Sequence, residues 1–310
     1  MKEVNMNTSE RRRDIHREIT DRIVAAMERG AETFDMPWHR GGTTQGRPAN
    51  ALSRRPYRGV NVLALWIAAE VNGYRSGYWG TYNHWKLLGA QVKKGEKASL
   101  IVFYKEVERT AKNREREHTE EMEKGTYLLA RAYWVFNADQ VKGWIPPEQM
   151  QKGQTEVLQH AEAFVRNTGA AIRHGGDRAS YHAAGDYIAM PDRSRFVMTS
   201  AGSATEGYYA TLLHELTHWT AHRNRMARNL SGRFGDHAYA MEELVAELGA
   251  SFLCADLGIS IAPRADHAGY LSSWLEVLKS DKKAIFTAAS KAHQATEYLA
   301  GLQQETGVAA

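Results

Sequence analysis

Residues 211–226 read TLLHELTHWTAHRNRM and set His214, Glu215 and His218 in the order H-E-x-x-H. No other stretch restricts the fold of this chain so tightly. Positions i and i+4 lie one turn apart on the same face of an α-helix, so two imidazoles reach one ion only if this stretch is helical. Glu215 is rotated by about 100° from His214, which brings its carboxylate within reach of a water beside that ion. A base next to two imidazole ligands is what metal-assisted hydrolysis requires. Ser203 and Glu206 fit the S-x-x-E pattern that opens a helix, so a helix is expected over about 203–224. Tyr209, Leu212, Leu213 and Leu216 supply an apolar shell around the motif.

A catalytic zinc takes a third protein ligand and keeps one position open. Candidates stand in YAMEELVAELGASFLCADLG, itself an amphipathic helical pattern carrying Glu242, Glu243 and Glu247. Glu243 and Glu247 share one face, and acids on a face with leucines are costly to bury unless paired or bound to metal. We assign Glu243 as the third ligand and Glu247 as acceptor for a ligand histidine N–H; the reverse assignment stays open. Such a set suits Zn2+ and also accepts Mn2+ or Co2+. His222 continues the four-residue series, but three such positions span about 12 Å of helix axis, too far for one ion.

Cys254 is the sole cysteine of the 310 residues, which excludes an internal disulfide and Cys-rich zinc sites and points to a reducing, cytoplasmic setting. It reads as a small buried apolar residue. The first residues, MKEVNMNTSERRRD, lack the apolar core of a signal peptide. The longest apolar run, VNVLALWIAA, is too short to cross a bilayer. No membrane partner is expected.

Charge divides the chain. Residues 1–150 hold 25 Lys+Arg against 19 Asp+Glu, net +6, and residues 151–310 hold 15 against 17, net −2. Over residues 36–105 the balance is 11 to 2, with ten aromatics interleaved. Single-stranded nucleic acid is gripped by cations along its phosphates and aromatics against its bases. The candidates are Trp38, Arg54, Arg55, Tyr57, Arg58, Trp79, Lys93, Lys94 and Lys97. The arginines of ALSRRPYRGVN have no acidic neighbours in sequence, which favours phosphate contact; Trp66, inside an apolar run, reads as core.

Ile15, Ile19, Ile23 and Met27 recur at four-residue steps and predict a helix over 8–29, capped by Thr8 or Ser9 and ended by Gly30. A short helix follows at NVLALWIAAEVNG and another near YWGTYNHWKLLG. KASLIVFYKEV and TYLLARAYWVF read as two strands of a hairpin around the charged excursion 106–125. The prolines of KGWIPPEQMQKGQ mark a boundary. Beyond it come a helix, two strand regions (AAIRHG and RASYHAAGDYIAMP, the second broken near Gly185) and then helices near 203–224, 238–257, 267–279 and 281–301. The expectation is an α+β chain of two domains: an N-terminal mixed α/β single-stranded-DNA-binding domain over 1–146, a linker over 147–153, and a mostly helical domain with a small sheet over 154–310 that carries the metal motif.

Taken together, these blocks resemble the ArdC-type antirestriction proteins of conjugative plasmids. In the first half the resemblance rests on MPW, RPYRGVNVLALW, LGAQVKKGEKASLIVFY and YWVFNADQVKG. In the second it rests on DYIAMPDRSRF, HELTHWTAH, EELVAELGASFLCADLGI and YLSSWLEVLKSDKKAIFTAAS. It implies single-stranded DNA binding, a zincin-like metallopeptidase domain with its metal at His214 and His218, and protection of incoming plasmid DNA from host restriction. One reading makes the second half a zinc metallopeptidase that acts on a restriction enzyme or another DNA-bound protein, and by analogy with zincins DYIAMP would form the cleft edge that holds a peptide. Ala221 stands where the family pattern suggests glycine. The alternative is a non-enzymatic shield whose metal only staples two helices. A primase-associated accessory role is weaker, because the N-terminal half shows no acidic triad or zinc ribbon.

Overall fold

The computed structural model describes residues 14–32, 36–39, 46–108, 126–147, 153–199, 202–230, 236–261 and 268–303. Helix α1 (Ile15–Gly30) buries Ile19, Ile23 and Met27, the expected stripe. Its cap is Asp14, whose carboxylate accepts from the Arg17 N–H at 3.0 Å; Thr8 and Ser9 lie outside the described residues. Helix α2 (Val60–Asn72) is apolar almost all round, because it is enclosed, and it ends at Gly73 in the left-handed conformation. Helix α3 (Tyr82–Leu87) follows a Thr81 cap.

The first-half sheet has the order β1-β2-β5-β4, from β1 (Ala49–Asn50), β2 (Tyr78–Gly80), β4 (Ser99–Glu108) and β5 (Thr126–Asn137). β4 and β5 form the expected hairpin, in register from Ser99 opposite Val135 to Glu108 opposite Thr126. Most of the charged excursion between them lies outside the described residues. β3 (Gln91–Val92) and β6 (Val141–Lys142) make a separate two-stranded ribbon.

The second half opens with α4 (Gln154–Asn167) and a three-stranded sheet ordered β7-β9-β8, from β7 (Ala171–His174), β8 (Ser180–His182) and β9 (Tyr187–Met190). β9 runs parallel to β7 and antiparallel to β8, so the DYIAMP strand is central. The expectation that it forms an edge is corrected: both its sides are already hydrogen-bonded. Helices α5 (Ala204–Trp219), α6 (His237–Leu257), α7 (Ala268–Ser280) and α8 (Ala284–Gly301) complete the chain. α5 opens with the expected capping box, the Ser203 and Glu206 backbone N–H groups each bonded to the other's side chain. It stops at Trp219 rather than near 224, since the Arg225 guanidinium donates to the Trp219 carbonyl at 2.6 Å and covers its ring.

The core crosses the expected boundary. One buried cluster joins Ile23 and Met27 of α1 and Leu63 and Trp66 of α2 to Leu248 and Phe252 of α6, Trp274 of α7 and Ile285 of α8. A second lies beneath the motif helix, with Leu213 and Leu216 of α5 against Ile188 and Met190 of β9 and Leu253 and Cys254 of α6. No described helix is long and apolar enough to cross a membrane.

Candidate metal centre

The motif helix and α6 meet where side chains are smallest. A Cβ built on Gly249 would lie 2.5 Å from Thr217 Cγ2 and 2.7 Å from its Oγ1. This contact draws α6 against α5 and brings the glutamates of one helix under the imidazoles of the other.

His214, His218 and Glu243 each offer a ligand atom, all within 4.8 Å of one another. Glu243 lies between the two rings, 3.5 Å from His214 Nε2 and 3.4 Å from His218 Nε2. Bonds of about 2.0–2.1 Å in a tetrahedral zinc site put neighbouring donors roughly 3.4 Å apart, so these spacings and this donor chemistry fit a divalent ion. The opposite ring nitrogens face carboxylates as well. His218 Nδ1 lies 3.2 Å from Glu242 Oε1, and His214 Nδ1 lies 3.6 Å from Glu247 Oε2. Each imidazole is thereby aimed with Nε2 toward Glu243, the orientation that outer carboxylates give to metal-binding histidines.

The charges are balanced by burial and pairing. Burial opposes a charge on His218, but its hydrogen bonds to Glu242 and Glu243 outweigh that and raise its pKa to about 10. Burial pushes Glu243 upward, and the bonds from His214 and His218 overcome this to hold it well below the usual carboxylate range. Glu242 is likewise lowered, against burial, by His218 and Arg228. Arg228 clamps Glu242 with two bonds of 2.9 and 3.0 Å and also donates to the Thr217 carbonyl at 2.7 Å. Arg228 is not among the residues the sequence singles out, and Glu242, a candidate ligand in sequence, instead holds the outer nitrogen of His218. Arg228 lies in a loop with no periodic pattern, and Glu242 differs from Glu243 only by a 100° turn of the helix.

Glu215 opens with His214, His218 and Glu243 onto a cleft of about 270 Å³. One wall is Ala179, Ser180 and Tyr181 of the β8 segment, and the other carries Tyr239 and Tyr270. The strand edge beside the candidate ion is therefore β8, in the place expected of DYIAMP. His222 falls in the turns after α5, outside the helix that carries the two ligand histidines.

The candidate DNA contacts separate sharply. Trp38, Tyr57 and Trp79 are buried, the two tryptophans completely. Rings with no open face have nothing to stack on a base, so these three expectations are corrected; the side chains belong to the core. Arg54, Arg55, Lys94 and Lys97 are exposed. Arg54 covers the rings of Tyr78 and Trp144. Arg58 is exposed but does find an acid, Glu297 of α8 at 3.3 Å. Lys93 donates to the Asp139 carbonyl at 2.6 Å. The exposed aromatics of the hairpin lie outside the candidates read from the sequence. Phe103 and Tyr133, 48% and 41% exposed, pack edge to face on one side of the β4–β5 hairpin. Arg131, opposite Phe103, and Lys105 share that side. Period-two alternation along the two strands is the sequence signal for them.

Motif helix, acidic helix and flanking sheet together define a zincin-type metallopeptidase fold, and residues 159–291 match the zincin-like metallopeptidase family MPTase-PolyVal. Residues 13–136 match the N-terminal domain of anti-restriction factor ArdC. The crystal structure of antirestriction protein ArdC from plasmid R388, metal-free, is 38% identical and superposes with a TM-score of 0.74, covering 94% of this chain and 98% of that one. Its Mn(II)-bound form gives 0.73, covering 95% and 100%. The chain belongs to the ArdC antirestriction family. It is also 45% identical to the uncharacterized protein y4eC of Sinorhizobium fredii, over 94% of this chain and 93% of that protein. DNA primase TraC of Escherichia coli is 32% identical over 96% of this chain, which spans 28% of that primase's length.

Proposed function

We propose that this protein binds single-stranded DNA through its basic N-terminal face and cleaves a DNA-bound protein at the His214–His218–Glu243 centre, protecting incoming DNA from restriction. The observation that carries the peptidase reading is Glu215, which opens onto the same cleft as the three ligand atoms. A structural ion would have no use for that carboxylate. His214, His218 and Glu243 would hold zinc, or manganese as the Mn(II)-bound relative does, and the ion would supply Lewis-acid polarisation of a peptide carbonyl. Glu215 takes the proton of the attacking water as the new C–O bond forms and then passes it to the leaving amine, and the peptide C–N bond breaks. The β8 edge offers main-chain groups to an extended peptide.

Arg54, Arg55, Lys94 and Lys97 supply cations on the first-half surface, and Phe103 and Tyr133 with Lys105 and Arg131 supply a stacking face. Kinship with a DNA primase supports action beside DNA. The two halves divide labour, with the boundary at 147–153, while sharing one core. The test is Glu215→Gln, which keeps the ligands and removes the base. Zinc content and single-strand affinity should match the parent, and protection against restriction should be lost. Protection at the parental level would leave the shield reading in place. Arg54→Glu with Arg55→Glu should weaken strand binding and reduce its salt dependence.

A further inference from the structure

We propose that Trp38 and His39, from the N-terminal half, are positioning residues of the metal centre, acting through Glu247 on His214. The inference rests on reading His214, His218 and Glu243 as a metal site, and it adds a part of that site from outside residues 159–291, the zincin-like match. Residues 36–39 form a buried turn lodged against the acidic helix. From it, the Trp38 indole Nε1 donates to Glu247 Oε1 at 3.2 Å and His39 Nε2 meets the same oxygen at 2.6 Å. The backbone N–H of Met36 donates to His39 Nδ1 at 3.2 Å. In neutral His39 the ring proton therefore sits on Nε2, and His39 is the donor to Glu247.

Two donors on Oε1 leave Oε2 directed at His214 Nδ1, 3.6 Å away. That carboxylate faces Nδ1 as a charge partner just beyond hydrogen-bond distance, on the side of the ring opposite the Nε2 that faces Glu243. The assembly is dry: Trp38 is fully buried, and His39 and Glu247 are 2% and 3% exposed. The Trp38 ring also packs against Trp274 of α7, with centroids 6.4 Å apart. A buried carboxylate deprived of its donors would reorient, and His214 would lose the carboxylate that faces its Nδ1. The N-terminal half thus completes the outer layer of a centre whose ligands all lie in the C-terminal half.

The test measures zinc affinity of the full-length protein by competition with a chromophoric chelator, with thermal unfolding of the metal-free protein as a control. His39→Phe keeps a ring and removes the donor; zinc affinity should fall about 10–100-fold. His39→Gln places an N–H where Nε2 was and should restore affinity to within about threefold of the parent. Trp38→Phe, which preserves packing against Trp274, should lower affinity in the same direction, and it decides the matter if His39→Phe does not fold. Parental affinity in folded His39→Phe, or in Trp38→Phe where His39→Phe does not fold, would overturn the proposal. So would equal losses in His39→Phe and His39→Gln. His214→Ala separates the two levels. If it retains zinc, the metal-site reading itself fails and takes this inference with it; if it loses zinc while His39→Phe does not, only the inference falls.

Discussion

Gly249→Ala tests the helix contact on which the centre is built. In an exposed helix interior the change would stabilise by about 0.8–1 kcal/mol, because alanine loses less backbone entropy than glycine. Here the new methyl would stand 2.5 Å from Thr217 Cγ2, 2.7 Å from Oγ1 and 3.2 Å from Cβ. Both branches of Thr217 straddle the glycine, so each staggered rotamer leaves at least one of them in the way. Overpacking of this kind costs about 1–3 kcal/mol, which outweighs the propensity gain at most of that range. The expected net loss is roughly 0.5–2 kcal/mol, read as a lower urea midpoint at unchanged m-value. Zinc affinity should fall with it, since Glu247 precedes the contact by two residues and Thr217 stands between the two histidines. Thr217→Ala should relieve the clash. It deletes both branch atoms and removes only an intrahelical bond to the Leu213 carbonyl, one the helix does not need. In that background Gly249→Ala should be neutral or stabilising. A single Gly249→Ala protein more stable than the parent would refute the reasoning.

Asp186 is held near pKa 2, chiefly by its hydrogen bond from Arg225, against the effect of burial. Its folded value lies below its unfolded one, so its contribution is present above about pH 4 and is lost as pH falls toward 2. Asp186→Asn, tolerated at φ 49°, should cost about 1 kcal/mol at pH 7 for this half-exposed pair, with the gap from the parent closing below pH 4 in denaturant titrations. Burial pushes the Cys254 thiol far up, so a thiol reagent should leave the native protein unlabelled and modify one site per chain after unfolding in guanidinium. Phe103→Ala and Tyr133→Ala should each weaken single-strand affinity by about 1–3 kcal/mol, whereas Trp79→Phe should leave the affinity of the folded protein within about twofold; a reversal of that order would move the strand off the hairpin face.

What the sequence disclosed follows from where its signals are local. The H-E-x-x-H spacing, the Ser203–Glu206 box and the four-residue stripe of α1 are each set within a turn or two of helix, and each appears in the structure. Glu243 was legible because a buried acid needs a partner, and the partners lie one helix away. The aromatic-rich N-terminal stretch misled because composition does not tell which face of a ring is covered. Trp38 and Trp79 are packed by residues distant in sequence, with Trp38 bonded to Glu247 across 209 positions. The same long range hid the strand order, in which β8 rather than β9 is the edge, and it hid the core shared by the two halves. Arg228 carries no pattern at all; only the folded chain brings it to Glu242.

Crystals soaked in zinc test the metal centre directly. An anomalous difference map at the zinc edge should show a single strong peak in the cleft, bonded to His214 Nε2, His218 Nε2 and a Glu243 carboxylate oxygen at about 2.0–2.2 Å, with Glu215 close by but unbonded. A peak ligated by Glu247 in place of Glu243, or no peak between the two imidazoles, would contradict it.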